Sequence, residues 1–235
     1  TKDLAWGRDR GNYLAMPSWQ SFETTFQLPL SEYVDAYGKC EDMHSNETLL
    51  HFSLTQILGR TVHTCNDLRE ADCTIDEPLV RFACPVTCGC NRPSGQIFDL
   101  RGCPLRQCST RNSWQKLLME ARSEDVDVLV LRNLSTWRGY WAHFASYMTR
   151  NPLANVLDLP VEVVLERFLE LGCGGVTSLM SDAIQPEMIR DAFCSEREQQ
   201  RRPVRPWCPA TCRCATMRQS GDLFCPNPRS HVGCR

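Results

Sequence analysis

Closely spaced cysteines are the residues of this chain with the clearest chemical potential. Residues 84–90 read Cys-Pro-Val-Thr-Cys-Gly-Cys, and residues 208–214 read Cys-Pro-Ala-Thr-Cys-Arg-Cys. Both segments fit the pattern C-P-x-T-C-x-C, in which five of seven positions are identical. Thiols at such short spacing can form disulfides, hold a zinc ion or act in redox catalysis.

Disulfide formation is the chemistry that the sequence favours. Structural zinc sites usually present C-x2-4-C pairs or mixtures of Cys and His, and thiol redox catalysts use C-x-x-C. The chain contains no C-x-x-C, and among its histidines only His231 follows a motif at short distance. We therefore predict disulfides, no metal and no cofactor. The cysteines are Cys40, Cys65, Cys73, Cys84, Cys88, Cys90, Cys103, Cys108, Cys173, Cys194, Cys208, Cys212, Cys214, Cys225 and Cys234.

The number of cysteines has two further consequences. Fifteen in 235 residues exceeds ordinary usage, and closely spaced cysteines persist as disulfides only in an oxidising compartment. We expect a secreted, extracellular protein or, alternatively, one in the lumen of an oxidising organelle. Because fifteen is odd, one cysteine must be unpaired or bonded to another chain, and we expect it in the second half, which holds seven.

Composition and motifs disfavour several classes of function. The net charge of −2 gives no reason to expect a nucleic-acid partner, and no apolar run approaches the ~18–20 residues that span a bilayer. The chain has no H-E-x-x-H, no G-x-S-x-G and no glycine-rich phosphate loop. We therefore predict a protein that is not an enzyme and whose partners are other protein subunits, its own copies included.

Two kinds of surface residue are candidates for modification or docking. The sequons at Asn46 and Asn133 permit N-glycosylation in a secretory route. An arginine cluster before the second motif is a candidate docking surface for an acidic partner, or else a solvated or protease-sensitive loop. It consists of Arg197, Arg201, Arg202 and Arg205.

Short helices are predicted to position the cysteines. Apolar spacing indicates helices over 48–62 and 141–148, and the clearest one over 158–171, where Pro160 suits the first turn. Alternating valines over 126–130 predict a strand. The fold class is therefore mainly α, small and disulfide-rich, with little β.

The order of the cysteines indicates an internal duplication. Each motif is followed by two further cysteines. Matching the cysteines in order pairs Cys40 with Cys173 and Cys65 with Cys194, and leaves Cys73 without a counterpart.

The duplication predicts two domains of similar construction. We expect tandem cysteine-stapled helical repeats over 1–111 and 112–235, with Trp19 and Trp141 buried in equivalent places.

The first motif and the residues before it resemble the ShKT family, a small module named after a sea-anemone channel toxin. The resemblance covers residues 65–90, with Asp67 at the C-x-D position, and residues 194–214 in the second copy. The chain departs from the family pattern in its final C-x-C spacing and in having only one cysteine between Cys65 and Cys84. The fuller pattern also resembles cysteine-rich repeat proteins of dinoflagellate-type algae, from which no function carries over.

The ShKT resemblance implies a pairing of cysteines. In that family the first cysteine pairs with the last, and the inner ones pair crosswise around short helices. The bridges that it implies here are Cys65 with Cys90, and Cys73 with Cys84 or Cys88.

A non-enzymatic structural or adhesive subunit of an extracellular or luminal assembly is the function that we expect. Two alternatives stay open: a recognition module associated with an enzyme, and a luminal accessory subunit of an algal membrane complex. Channel block is disfavoured, because the nearest basic-aromatic pair, Arg81-Phe82, lies closer to the next cysteine than the toxins' Lys-Tyr pair does.

Overall fold

The fold was taken from a computed structural model, which describes residues 34, 38–44, 48–151, 159–195, 201–214 and 223–226. These residues form short helices, and the one strand-like pairing among them is an isolated antiparallel bridge between Asp99 and Arg201. Seven disulfides join the fourteen described cysteines. The prediction of a small, mainly α, disulfide-rich fold with little β is confirmed.

The chain divides into two compact units that interleave along the sequence. The first unit holds Thr1–Cys90 and Leu100–Cys108, and the second holds Asn91–Asp99 and Ser109–Arg235. Because the chain leaves the first unit at Asn91 and returns to it at Leu100, no single residue separates the two.

Short helical segments make up the first unit. They are helix α1 (Thr48–Leu58), 3₁₀ turns at Cys65–Asp67 and Glu70–Thr74, helix α2 (Pro78–Ala83) and helix α3 (Leu105–Ser109). The helix predicted over 48–62 is confirmed as α1, although it ends at Leu58. Pro78 begins α2, since the N–H that proline lacks has no helical partner in a first turn.

Aliphatic side chains and disulfides fill the core of the first unit. Leu54, Val62 and Val80 are each exposed by 1% or less. The longest described helix of the unit has 11 residues, and helices of that length are marginal in water without tertiary contacts. Bridges and apolar packing must therefore hold them in place. The bridges are Cys40–Cys108, Cys65–Cys84, Cys73–Cys88 and Cys90–Cys103.

The second unit contains longer helices. In order they are α4 (Asn112–Glu120), α5 (Val128–Asn133), α6 (Ser135–Arg150), α7 (Val161–Leu171), α8 (Gly174–Asp182) and α9 (Pro186–Cys194). The helices predicted over 141–148 and 158–171 are confirmed as parts of α6 and α7. Helix α7 ends at Leu171 and is capped by Gly172, where φ is +56° and a Cβ would lie 3.0 Å from Leu131 Cδ1. The positive φ and the lack of space for a Cβ both favour glycine.

Aromatic rings on one face of α6 build the core of the second unit. They occupy positions i, i+3, i+4 and i+7, and each is exposed by 3% or less. These rings belong to Trp137, Tyr140, Trp141 and Phe144. Trp141 stacks on Phe168 of α7 with ring centroids 4.0 Å apart, and Trp137 meets Trp207 edge to face at 5.3 Å. Trp19, the predicted equivalent of Trp141, lies outside the described residues.

The strand predicted over 126–130 is wrong. Residues 125–127 belong to no helix or strand, and Asp127 caps α5 by accepting a hydrogen bond from Leu129 N–H to its Oδ1 at 2.8 Å. An aspartate that satisfies a free amide at a helix start favours the helix over continued extension. The alternation of valines does not mark a buried face either, because Val130 is 56% exposed.

None of the described helices combines the length and the apolar character that crossing a membrane requires.

Candidate functional site

The two C-P-x-T-C-x-C segments form the same backbone turn. We call residues 84–90 the first cysteine turn and residues 208–214 the second cysteine turn. In both, the fifth residue's N–H donates to the first residue's carbonyl, and the seventh residue's N–H to the second residue's carbonyl, over 2.7 to 2.9 Å. The sixth residue has a positive φ in both, +73° at Gly89 and +56° at Arg213. A left-handed residue is thus part of the turn even where the sequence supplies arginine.

Each cysteine turn is a hub from which three bridges lead to three different segments. In the first turn the bridges are Cys84–Cys65, Cys88–Cys73 and Cys90–Cys103. In the second turn they are Cys208–Cys173, Cys212–Cys194 and Cys214–Cys225. Cα–Cα distances lie between 5.3 and 5.6 Å in all six, as ordinary disulfide geometry requires.

This pairing corrects the register in which the two halves were matched. By bridge position, the counterpart of Cys65 is Cys173 and that of Cys73 is Cys194. Cys40 bonds Cys108 and is not equivalent to Cys173. The match in sequence order was therefore wrong by one cysteine, and Cys73 does have a counterpart.

The bridges implied by the ShKT resemblance are confirmed in one case and wrong in the other. Cys73 does bond Cys88, which was one of its two predicted partners. Cys65 bonds Cys84 and not Cys90, because Cys90 is held by Cys103 instead.

A carboxylate closes each cysteine turn from outside it. Asp42 accepts hydrogen bonds from the N–H groups of Val86 and Thr87, at 2.8 and 3.1 Å, and from the Thr87 hydroxyl at 2.7 Å. This set of bonds, which we call the aspartate clasp, satisfies two turn amides and fixes the threonine side chain.

The second turn carries the same aspartate clasp. Asp125 accepts from the N–H groups of Ala210 and Thr211, at 2.8 and 3.0 Å, and from the Thr211 hydroxyl. The residue after each aspartate also pairs in the same way: Met43 N–H donates to Ala83 O, and Val126 N–H donates to Trp207 O, each at 2.9 Å. The threonine of the motif therefore has a defined partner far away in sequence.

The repeated pattern is longer than seven residues. Residues 80–90 and 204–214 share seven of eleven positions, because Val and Arg precede both turns at the same distance. Val80 and Val204 are both fully buried, and each accepts the backbone N–H of the first turn cysteine. Extending the alignment upstream by four residues would have found this pair from sequence alone.

The arginine of this extended pattern lies inside the first unit. Arg81 has no exposed surface, and its guanidinium donates to three backbone carbonyls, those of Cys73, Ile75 and Arg101, at 2.7 to 3.0 Å. Its counterpart Arg205 is 9% exposed. The basic-aromatic pair Arg81-Phe82 is therefore not an exposed pair of the kind that channel-blocking toxins use.

Only part of the predicted arginine docking surface is on the surface. Arg202 is 1% exposed, and it donates to Ile97 O at 2.9 Å, to Pro93 O at 2.8 Å and to Arg92 O. Burial lowers its pKa to about 9, so it stays charged at neutral pH. Arg202 and Arg205 are therefore both interior residues and do not contribute to a docking surface. Arg201 is half-buried with its guanidinium over the Tyr147 ring, and Arg197 lies outside the described residues.

The histidines do not gather into a reactive site within the described residues. His143 is buried in the aromatic core, where its Nδ1 accepts the N–H of Phe98 at 2.8 Å. His44 accepts at its backbone oxygen from the His51 ring at 3.3 Å, and His63 is exposed. Across the described part of the chain, no three residues among His, Cys, Asp and Glu are grouped so as to hold a metal ion.

Comparison of the chain with protein-family models, with curated proteins and with solved structures found no match.

Proposed function

We propose that this protein is a non-enzymatic, disulfide-stapled structural or adhesive subunit of an extracellular or luminal protein assembly. The observation that carries the proposal is the pair of cysteine turns, each a hub of three bridges closed by an aspartate clasp. In both hubs the polar contacts and the disulfides stabilise the fold rather than form a reactive centre.

The residues that hold the hubs together are not available for chemistry. Every described cysteine is in a disulfide, so none of them offers a thiolate nucleophile or a metal ligand. The buried arginines Arg81 and Arg202 are engaged by backbone carbonyls. Cysteines in disulfides and arginines bonded to backbone carbonyls stabilise a fold, and they therefore support a structural role for the protein.

Several further features belong to the proposal. The same hub occurs twice with one bond pattern, which supports an origin by duplication of a cysteine-rich, ShKT-like unit in the corrected register. Seven bridges support a secreted protein or, alternatively, one in an oxidising organelle lumen, because such bonds persist there. With its exposed sequon at Asn133, a secreted protein would also be a glycoprotein; Asn46, the other sequon asparagine, lies outside the described residues.

A measurement of native size tests the proposed function. Protein extracted from its native source under non-reducing conditions is separated by size-exclusion chromatography with light scattering, and the recombinant chain is run as the control. An assembly subunit is expected to elute in a particle well above its own 26.8 kDa. Native protein that elutes only at the mass of one chain would contradict the proposal.

A further inference from the structure

Helix α5 exposes two large aliphatic side chains on its outer surface. Leu129 is 63% exposed and Val130 is 56% exposed, while Leu131 beside them is completely buried. Neighbouring exposed apolar side chains offer a surface on which an attached group can pack. We call Leu129 and Val130 the aliphatic pair.

Asn133 lies one helical turn after this aliphatic pair. It is the last residue of α5, three and four residues after the two side chains, so all three share one turn of helix surface. Side chains of a helix lean toward its N-terminus, and Asn133 Nδ2 accordingly donates to Leu129 O at 2.9 Å. The Asn133 side chain thus lies against the backbone of Leu129, on the same helical turn as Val130, and it is exposed.

The sequon around Asn133 is also laid out for modification. Leu134 is extended, with φ −78° and ψ 116°, and Ser135, which begins α6, is exposed. The sequon therefore crosses the junction between two helices and does not lie within one. Only one of the two Nδ2 hydrogens is needed for the bond to Leu129 O, and the other can be replaced by a sugar.

We propose that Asn133 carries an N-linked glycan and that its first sugars cover Leu129 and Val130. The donor is a lipid-pyrophosphate-linked oligosaccharide. The Asn133 Nδ2–C1 bond forms, the C1–O bond to the pyrophosphate breaks, the lipid pyrophosphate leaves with the electron pair, and one amide proton goes to solvent. Nothing is oxidised or reduced. The C–H faces of the sugars pack on the aliphatic pair, and their hydroxyls face water. This inference rests on the secretory route within the proposed function.

The test uses the full chain secreted from a glycosylating eukaryotic host, with two matched variants. Ser135→Ala removes the sequon and keeps Asn133, whereas Ser135→Thr keeps the sequon. Peptide mapping is expected to find glycan on Asn133 in the wild type and in Ser135→Thr, and none in Ser135→Ala. An unmodified Asn133 in both sequon-bearing proteins would overturn the inference.

Binding of a hydrophobic dye measures separately whether the glycan covers the aliphatic pair. Wild type from which the glycan is released enzymatically after folding, and Ser135→Ala, are expected to bind severalfold more dye than the glycosylated protein. Adding Leu129→Ser and Val130→Ser to Ser135→Ala is expected to abolish that increase. Equal dye binding with and without the glycan would overturn the covering role, as would an aliphatic pair that is needed for binding another protein chain. Failure of the proposed function would appear as a native particle with the mass of one chain, which neither peptide mapping nor dye binding measures, so the two failures are distinguishable.

Discussion

The carboxylate of Asp125 binds both the backbone N–H and the hydroxyl of Thr211, across 86 residues of sequence. Asp42 does the same to Thr87 across 45 residues. Each clasp joins the segment before its unit's main helices to the turn in which three disulfides meet. Hydrogen bonds to a charged acceptor are stronger than neutral ones, so the clasp is a non-covalent counterpart of the bridges around it.

The clasp predicts a specific loss of stability. Asp125→Ala removes the acceptor of three hydrogen bonds and is expected to lower the free energy of unfolding by about 1–3 kcal/mol. Glu124→Ala, at the exposed neighbouring residue, is the control and should change it by less than ~0.5 kcal/mol. Urea unfolding with the disulfides intact measures both. A loss in Asp125→Ala no larger than that in Glu124→Ala would show that the clasp contributes nothing.

The two clasps should respond alike to changes in the threonine. Thr87→Val and Thr211→Val each remove one hydroxyl bond and are expected to cost about 0.5–1.5 kcal/mol. Thr87→Ser and Thr211→Ser retain the hydroxyl and serve as controls in the same urea experiment. If only one of the two valine variants is destabilised, the two turns are not energetically equivalent.

The cysteine pairing predicts a peptide map and a thiol. Proteolysis without reduction, with cuts between Cys84, Cys88 and Cys90, should release the peptides of Cys65 and Cys84 joined, with Cys90 joined to Cys103. The seven bridges use fourteen of fifteen cysteines, which leaves Cys234, outside the described residues, for alkylation or for a bond to a second chain. A dimer on non-reducing electrophoresis should therefore disappear in Cys234→Ser. Alkylation of any other cysteine before reduction would contradict the pairing.

Buried Arg202 should not be replaceable by lysine. Its planar guanidinium donates to Ile97, Pro93 and Arg92 carbonyls in different directions, which one ammonium group on a flexible stem cannot reproduce. Arg202→Lys is expected to cost about 1–3 kcal/mol, because carbonyls lose buried partners. Arg138→Lys on the exposed face of α6 is the control. Equal midpoints of urea unfolding in the two variants would contradict the interior role of Arg202.

Two carboxyl groups predict opposite dependences on pH. The N–H groups of His63 and Thr64 lower the pKa of Asp67 below its ordinary value of 3.8. The stabilisation from Asp67 is therefore present above pH 3.8 and is lost as the pH falls through the lower pKa of the folded state. Stability of wild type relative to Asp67→Asn, followed by thermal unfolding, should shrink in acid. A difference that is constant with pH would contradict the prediction.

Glu77 is expected to behave in the reverse way. Burial raises its pKa above 4.5, although the charges of Arg81 and Arg101 partly oppose this. Stabilisation by the protonated form is complete below pH 4.5 and is lost as the pH rises through the higher pKa of the folded state. Near neutral pH, Glu77→Gln should therefore have a higher free energy of unfolding than wild type, and this difference should vanish in acid. A difference that is instead largest in acid would contradict a raised pKa for Glu77.

The misassigned strand shows where local pattern reading fails. Val126, Val128 and Val130 alternate as a strand would, yet Asp127 caps a helix at that point. Alternation predicts a strand only when a neighbouring strand supplies hydrogen bonds, and the described part of the chain offers Val126 one carbonyl, that of Trp207. Helix α7 was predictable because its apolar face, Pro160 and Gly172 agree with one another.

The fold class, the main helices and the oxidised cysteines were predictable from the sequence, because they depend on composition and on spacing along a few turns. The pairing of the cysteines was not predictable, since a bridge needs two Cα atoms within about 4.4–6.8 Å and order along the chain does not provide that. Nor does the sequence reveal that Asp42 and Asp125 close the turns or that Arg202 is interior. Contacts across 45, 86 and 105 residues arise from packing, which no local pattern contains.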